Sequence, residues 1–306
     1  MKTVFIDGSA GTTGLRIHER LSAREDIRLL TIPEAQRKDP AVRSEYLNAA
    51  DAAFLCLPDA AAVEAVGLVT NPDTVVIDTS TAHRTNGAFV YGFPELTGQR
   101  EKIRTAKRIA NPGCHATGFI ALVRPLTEAG LLPAETALSC FSLTGYSGGG
   151  KKMIADYEAP ENAEALLAPR MYGLGQTHKH LPEMQKICGL AQAPVFCPVV
   201  SSYYAGMQVT VPLFAGQLKG GAEEVKALYR SYYNGGAVRY ADADENGFLS
   251  AGAFAGSDGL TVGVYGCDER ILLVSRFDNL GKGASGAAIQ NMNLALGMEE
   301  LKGLRL

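Results

Sequence analysis

Short, unbroken apolar runs alternate with stretches of helical spacing through the first third of the chain. Lys2–Ile6 is a β run, Asp7–Gly14 is glycine-rich, and Leu15–Leu21 resumes at helical spacing. Arg28–Ile32 and Ala52–Leu57 are further strand candidates, ended by Pro33 and Pro58, and Thr74–Ile77 is a fourth. Asp59 is placed to cap the Ala-rich helix Ala60–Val69, its carboxylate accepting first-turn amides. Apolar strands without a polar alternation, separated by helices, predict a doubly wound parallel sheet covered on both faces.

The pattern changes from about Thr136. Ala137–Thr144, Val195–Ser202, Gln208–Leu213, Thr261–Tyr265 and Ile271–Arg276 are longer and more alternating, with few helices between the last of them. They predict a mixed or antiparallel sheet and a second, α+β domain. Gly286–Gly297 carries Ala287, Ala288, Met292, Leu294 and Ala295 at helical spacing and closes the chain.

Composition narrows the class. Of 306 residues, 46% are apolar and 20% charged, which is globular usage rather than disorder. The net charge of −3 lacks the basic excess of a nucleic-acid footprint, so no nucleic-acid partner is expected. No apolar stretch is long enough for a signal h-region or a membrane span, so no membrane partner is expected either. The six cysteines form no C-x-x-C pair, which disfavours a disulfide scaffold or structural zinc and points to a reducing, cytoplasmic home. The 34 glycines follow no collagen period and concentrate in loops.

Those loops carry the candidate chemistry. Gly8, Ser9, Ala10, Gly11, Thr12, Thr13 and Gly14 join a strand to a helix. Glycines let the backbone approach a pyrophosphate, and the helix N-terminus presents free amides and a positive dipole end, so a Rossmann-like dinucleotide site is expected. The cofactor type turns on the end of the second strand. Glu34 suits a ribose 2′-hydroxyl, whereas Arg37 and Lys38 suit a 2′-phosphate and tip the reading to NADP(H).

Asn111-Pro-Gly-Cys-His-Ala-Thr117 is the sharper signal. Ala116, Phe119, Ile120 and Val123 recur at helical spacing, so Cys114 stands at a helix N-terminus, where the dipole and free amides favour thiolate, the attacking form. In Thr177-His-Lys-His-Leu-Pro-Glu183, an extended lead-in projects His178 and His180 to one side, and Pro182 suits the start of a helix ending near Gly189. Two imidazoles suggest zinc, but no further ligand falls at clear spacing, and no metal is expected. An imidazole serving Cys114 as acid/base, oriented by Glu183, is more economical. His115 is disfavoured as that base, because neighbours on a helix do not face one group. Ser147, Gly148 and Lys151 lie in a Gly-rich segment suited to an anion, and Asn279 and Lys282 in a turn suited to an anion or a nicotinamide carboxamide. A mobile loop and a helix-capping turn are the alternatives for these two segments.

In order along the chain, DGSAGTTG, NPGCHATG, HKHLPE and DNLGKGASGAAIQNMN resemble the N-acetyl-γ-glutamyl-phosphate reductase family, in its shorter form. That family is grouped with aspartate-semialdehyde dehydrogenases and, more distantly, glyceraldehyde-3-phosphate dehydrogenases. The resemblance implies a glyceraldehyde-3-phosphate dehydrogenase-like fold and an NADPH-dependent reaction of arginine biosynthesis. Cys114 would displace phosphate from an acyl phosphate to form a thioester, which reduction releases as an aldehyde. It implies that His180, ahead of His178, is the acid/base. It places Ser80 near the cofactor, Arg84 and Asn111 near the substrate, and Ser147, Gly148 and Lys151 in a substrate loop where Lys151 replaces the family's usual Arg. It also implies a homo-oligomer, dimer or tetramer, formed through the second domain's sheet. The motif order divides the chain into a cofactor domain of residues 1–114 and 284–306 and a catalytic and oligomerisation domain of residues 115–283. The competing readings are an aspartate-semialdehyde dehydrogenase, a non-catalytic NADP(H)-sensing protein and a zinc hydrolase using the two histidines.

Overall fold

A computed structural model describes residues 1–306 and divides them into two compact units. The first is Met1–Pro112 with Ala284–Leu304, and the second is Gly113–Gly283 with Arg305–Leu306.

The first unit runs β1 (Lys2–Asp7), α1 (Thr12–Ser22), β2 (Ile27–Leu30), α2 (Pro40–Ala49), β3 (Ala52–Leu55), α3 (Asp59–Gly67), β4 (Val75–Asp78), β5 (Val90–Tyr91), α4 (Gln99–Thr105) and β6 (Arg108–Ala110). Its six strands are all parallel, in the order β2-β1-β3-β4-β6-β5. The unbroken apolar strands follow from the two covered faces. Val4, Ile6, Phe54 and Ile77 join one buried cluster with Ile17 and Leu21 of α1, while Phe5, Ala53, Leu55 and Val76 join another with Leu47 of α2 and Ala65 of α3. Two local expectations change. Pro58, not Asp59, is the N-cap of α3, and the Asp59 carboxylate instead accepts the Thr81 amide at 2.8 Å and the Thr81 hydroxyl. Helix α2 is not among the expected elements; Asp39 accepts the Ala41 amide at 2.9 Å with Pro40 in the first turn, and this Asp-Pro start is its local signal.

The second unit runs α5 (Cys114–Glu128), β7 (Ser139–Gly145), α6 (Gly150–Glu158), β8 (Arg170–Met171), α7 (Leu181–Cys188), β9 (Val195–Ser201), β10 (Met207–Phe214), α8 (Ala222–Tyr232), β11 (Asn234–Gly235), β12 (Val238–Tyr240), β13 (Leu260–Gly266) and β14 (Arg270–Phe277). Eight strands form a mixed sheet in the order β11-β12-β13-β14-β10-β7-β9-β8. Helix α5 lies against β10 and β14, closest at Gly118, where a Cβ would sit 2.5 Å from Val209 and 2.7 Å from Ser275. Alternation along β10 buries Met207, Val209, Val211 and Leu213 and leaves Pro212 and Phe214 outward, where Phe141 and Leu272 are also exposed. The sheet thus has one face under helices and one bare, partly apolar face.

The chain then returns to the first unit as α9 (Gly286–Ala295), whose Ala288, Ile289, Met292 and Leu294 complete its core. The first unit ends at Pro112 rather than Cys114, because Cys114 opens α5 in the second. Arg305 also belongs to the second unit, exchanging hydrogen bonds with Asp258 (Arg305 N to Asp258 Oδ2 2.8 Å, Asp258 N to Arg305 O 2.6 Å).

Candidate active site

Each unit carries one half of the expected chemistry. In the first, the glycine loop turns β1 into α1. Gly8 has φ +87°, and a Cβ there would lie 2.3 Å from the Cys56 carbonyl oxygen. A Cβ on Gly14 would lie 2.5 Å from the Gly8 oxygen, so these two glycines hold the turn against β3 and against itself. A Cβ on Gly11, the N-cap of α1, would meet nothing nearer than 3.5 Å, so that side of the turn has room for a ligand. The Thr12 hydroxyl is buried there without a hydrogen-bond partner. An open amide-rich helix start beside an orphaned buried hydroxyl fits a pyrophosphate.

The end of β1 is anchored by a buried pair. Asp7 Oδ2 accepts from Arg43 Nε (3.1 Å) and Nη2 (2.9 Å); burial pushes the Asp7 carboxyl up, against the pull of Arg43. Arg37 pairs with Glu34 at 2.9 Å on the exposed segment after β2, and Lys38 is exposed beside it. Ser80 is a turn-former: its hydroxyl donates to Asp78 Oδ2 (2.8 Å), its amide to Asp78 Oδ1 (2.9 Å), and His83 Nδ1 lies 2.6 Å from the same Oδ2. Arg84, buried, donates to the carbonyls of Asn111 (2.9 Å) and Thr79 (3.0 Å). The Asn111 amide donates to the Ala284 carbonyl (3.1 Å) and accepts from Asn291 (3.1 Å).

In the second unit Cys114 is the first residue of α5, half-buried, with Gly113 as N-cap. The Gly113 amide donates to Glu183 Oε1 at 2.9 Å, so Glu183, expected to orient the histidines, holds the start of α5. Gly283 seats the thiol, since a Cβ there would lie 3.0 Å from the Cys114 Cβ. Burial pushes the Cys56 thiol up to about 12, and likewise raises Cys140 and Cys188.

The lead-in to α7 is a turn rather than extended. His180 is in the right-handed helical region, and its amide donates to His178 Nδ1 at 3.2 Å. The turn still brings the two rings together, at 4.8 Å and nearly perpendicular. His115 joins them, with its ring centroid 5.6 Å from each. His115 is thus part of the cluster although it was disfavoured as the base, and β7 and Tyr172 supply partners for both its nitrogens. Nδ1 lies 2.7 Å from the Ser142 hydroxyl and Nε2 2.7 Å from the Tyr172 hydroxyl. Burial, then the charge of His178, pushes His115 down to about 3, so this ring is neutral at working pH. Burial raises Tyr172 above the usual phenol range, and the charge of nearby Cys114 adds to this. No sequence signal marked Tyr172 or Ser142.

The remaining candidates also take their places. Tyr146–Gly149 is a 3-10 turn and Gly150 starts α6, so Lys151 is an exposed residue of a first helical turn rather than of a mobile loop. Gly148 is exposed, and Ser147 is buried with its hydroxyl accepting from Asn279 Nδ2 at 3.0 Å. Asn279 Oδ1 accepts the Gly206 amide at 2.9 Å, so Asn279 supports Ser147 from within the second unit. Lys282 is buried in the π-helical turn Gly281–Ser285. No three His, Cys, Asp or Glu side chains converge to hold a metal ion.

A semialdehyde dehydrogenase NAD-binding domain matches residues 4–106, and a semialdehyde dehydrogenase dimerisation domain matches residues 114–279. The fold is shared with aspartate semialdehyde dehydrogenase II from Vibrio cholerae in complex with ASA (TM-score 0.72, 18% identity, 97% of this chain and 98% of that one). An N-acetyl-gamma-glutamyl-phosphate reductase of Burkholderia cenocepacia is 48% identical over 96% of this chain and 97% of that protein. N-acetyl-gamma-glutamyl-phosphate reductase 2 of Pseudomonas putida is 47% identical over 98% of each. The chain belongs to the semialdehyde dehydrogenase family and, within it, to the N-acetyl-gamma-glutamyl-phosphate reductases.

Proposed function

We propose that this chain reduces N-acetyl-γ-glutamyl phosphate to N-acetylglutamate 5-semialdehyde with NADPH, releasing phosphate, as a step of arginine biosynthesis. The observation that carries the reading is Cys114 at the first position of α5, in the unit where three imidazoles and a phenol converge.

The helix N-terminus favours the Cys114 thiolate, which attacks the acyl carbon. Phosphate leaves and a thioester forms on Sγ. His180 takes the thiol proton and passes it to the departing phosphate oxygen. His178 is less suited to that task, because its Nδ1 already accepts the His180 amide, which fixes the neutral ring as an Nε2–H donor. Glu183 keeps the Gly113 amide and thereby the start of α5 in place. When bound, NADPH supplies the hydride that converts the thioester to aldehyde. Gly8–Gly14, with the free Thr12 hydroxyl, are assigned to its pyrophosphate, and Arg37 and Lys38 to its 2′-phosphate. Ser80, Asn279 and Lys282 remain assigned to the cofactor side. Arg84, Ser147, Gly148 and Lys151 are assigned to the substrate's anionic groups, and Asn111, its amide held by two partners, to shaping rather than binding.

We further infer a homodimer through the bare face of the second sheet, where Phe141, Pro212, Phe214 and Leu272 are exposed. No helix is long and apolar enough to cross a membrane. A reducing cytoplasm is in keeping with six free cysteines.

The test is the reverse reaction with NADP, phosphate and either N-acetylglutamate semialdehyde or aspartate semialdehyde. Phosphate-dependent NADPH formation with the first alone is expected. Activity with aspartate semialdehyde alone would reassign the substrate. Cys114→Ala should abolish turnover while leaving NADPH binding, and near-normal turnover would sink the mechanism.

A further inference from the structure

Beside the nucleophile lies a chain of three side chains that the proposed steps do not use. Ser142 Oγ on β7, His115 on α5 and the Tyr172 hydroxyl follow one another at 2.7 Å and 2.7 Å. Ser142 is wholly buried, and the His115 ring is the one hydrogen-bond partner of its hydroxyl. The Tyr172 hydroxyl likewise has His115 as its one partner.

These facts select a tautomer. A neutral imidazole donates from one nitrogen and accepts at the other. If Nδ1 carried the hydrogen, it would donate to Ser142 Oγ, and the Ser142 hydrogen would be left buried with no acceptor. If Nε2 carries it, Ser142 donates to Nδ1, Nε2–H donates to Tyr172, and every buried hydrogen is placed. The hydrogen of Tyr172 is then the one left over, available to a ligand. The Tyr172 hydroxyl lies 2.7 Å from the ring of His115, the residue next to Cys114 at the start of α5, and burial keeps the phenol protonated.

We propose that His115 is a positioning residue, holding Tyr172 through Nε2–H so that the phenolic hydrogen is offered to the acyl oxygen on Cys114, and that Tyr172 is a further catalytic residue. This rests on the acyl-transfer reading above. As negative charge builds on that oxygen during attack and again during reduction, Tyr172 donates a hydrogen bond to it, and no proton leaves the phenol. His115 cannot share the role of acid/base, since both its nitrogens are engaged. The chain Ser142–His115–Tyr172 is an orienting line whose hydrogens all run toward the nucleophile.

The test uses the reverse assay with N-acetylglutamate semialdehyde, NADP and phosphate, together with thermal melting. Tyr172→Phe should lower kcat about 10²-fold, the scale of losing one oxyanion donor, with a much smaller change in KM. His115→Asn, whose short amide reaches Ser142 but not Tyr172, should fall by a similar factor. His115→Gln, whose longer amide reaches Tyr172, should recover most of the loss. The His115→Asn/Tyr172→Phe double variant should be no slower than Tyr172→Phe alone. Wild-type rates in His115→Asn, or losses that multiply in the double variant, would overturn the proposal. So would His115→Gln as slow as His115→Asn at an unchanged melting temperature. Should His115→Asn fail to fold, Tyr172→Phe set against His115→Gln decides. If the wild type itself formed no NADPH, the acyl-transfer reading would fall separately. The imidazole ¹⁵N shifts of His115 would still judge the chain: an Nε2–H tautomer sustains it and an Nδ1–H tautomer overturns it.

Discussion

Histidine 115 makes a quantitative prediction about stability. Its ring is buried between α5, Phe196 and the other two imidazoles, and its pKa falls from 6.5 to about 3 in the folded chain. The first cause is burial, and the second is the charge of His178. The unfolded chain therefore binds a proton at this residue that the folded chain refuses. Stability from this source is fully present above about pH 6.5 and is lost as the pH falls toward about 3. Each unit of pH across that window is worth about 1.4 kcal/mol, so at about pH 5 the loss is about 2 kcal/mol, against almost none at about pH 7.5. His115→Gln removes the titrating group and keeps an amide in its place. The assay is urea unfolding of wild type and variant at both pH values. The wild type should lose about 2 kcal/mol more than the variant on acidification, whatever the cost of the substitution at neutral pH. Carboxylates titrate equally in both proteins and cancel in the difference. An equal pH loss in the two would refute the claim that this ring is held neutral by burial.

Three further outcomes are expected. Glu183→Ala leaves the buried Gly113 amide unpaired and should cost about 1–3 kcal/mol in urea unfolding, while Glu183→Gln keeps an acceptor and should cost clearly less; equal losses would remove Glu183 from the start of α5. His180→Asn should slow turnover about 10²–10⁴-fold, and His178→Asn, whose amide can still accept the His180 N–H, should slow it less; the reverse order in steady-state kinetics would move the acid/base to His178. Leu272→Lys with Phe141→Glu places charge on the bare sheet face and should halve the mass seen by light scattering at unchanged secondary structure; an unaltered mass would place the subunit contact elsewhere.

The chain's pattern determined by itself what depends on neighbours in sequence. Unbroken apolar strands in the first unit and alternating ones in the second are direct records of two covered faces and of one. The strand–glycine–helix order around Gly8–Gly14 and the Pro-Gly break before Cys114 were legible because a tight turn and a helix start are local events. Where local rules compete, the fold departs from the expectation. Asp59 suits a cap, yet Pro58 takes that position and Asp59 turns to Thr81. For the segment of Lys151, read as an anion site with a mobile loop as the alternative, the chain resumes helix at Gly150.

The tertiary structure alone decided which side chains meet. Helical geometry says that residues 114 and 115 do not face one group. Long-range partners on β7 and after β8 nevertheless draw His115 into the histidine cluster. Tyr172 and Ser142 carry no motif, because a hydrogen bond between residues 57 apart leaves no periodic trace. Burial, which silences His115 as a base and keeps Tyr172 protonated, is a property of the packed molecule and of no segment in it.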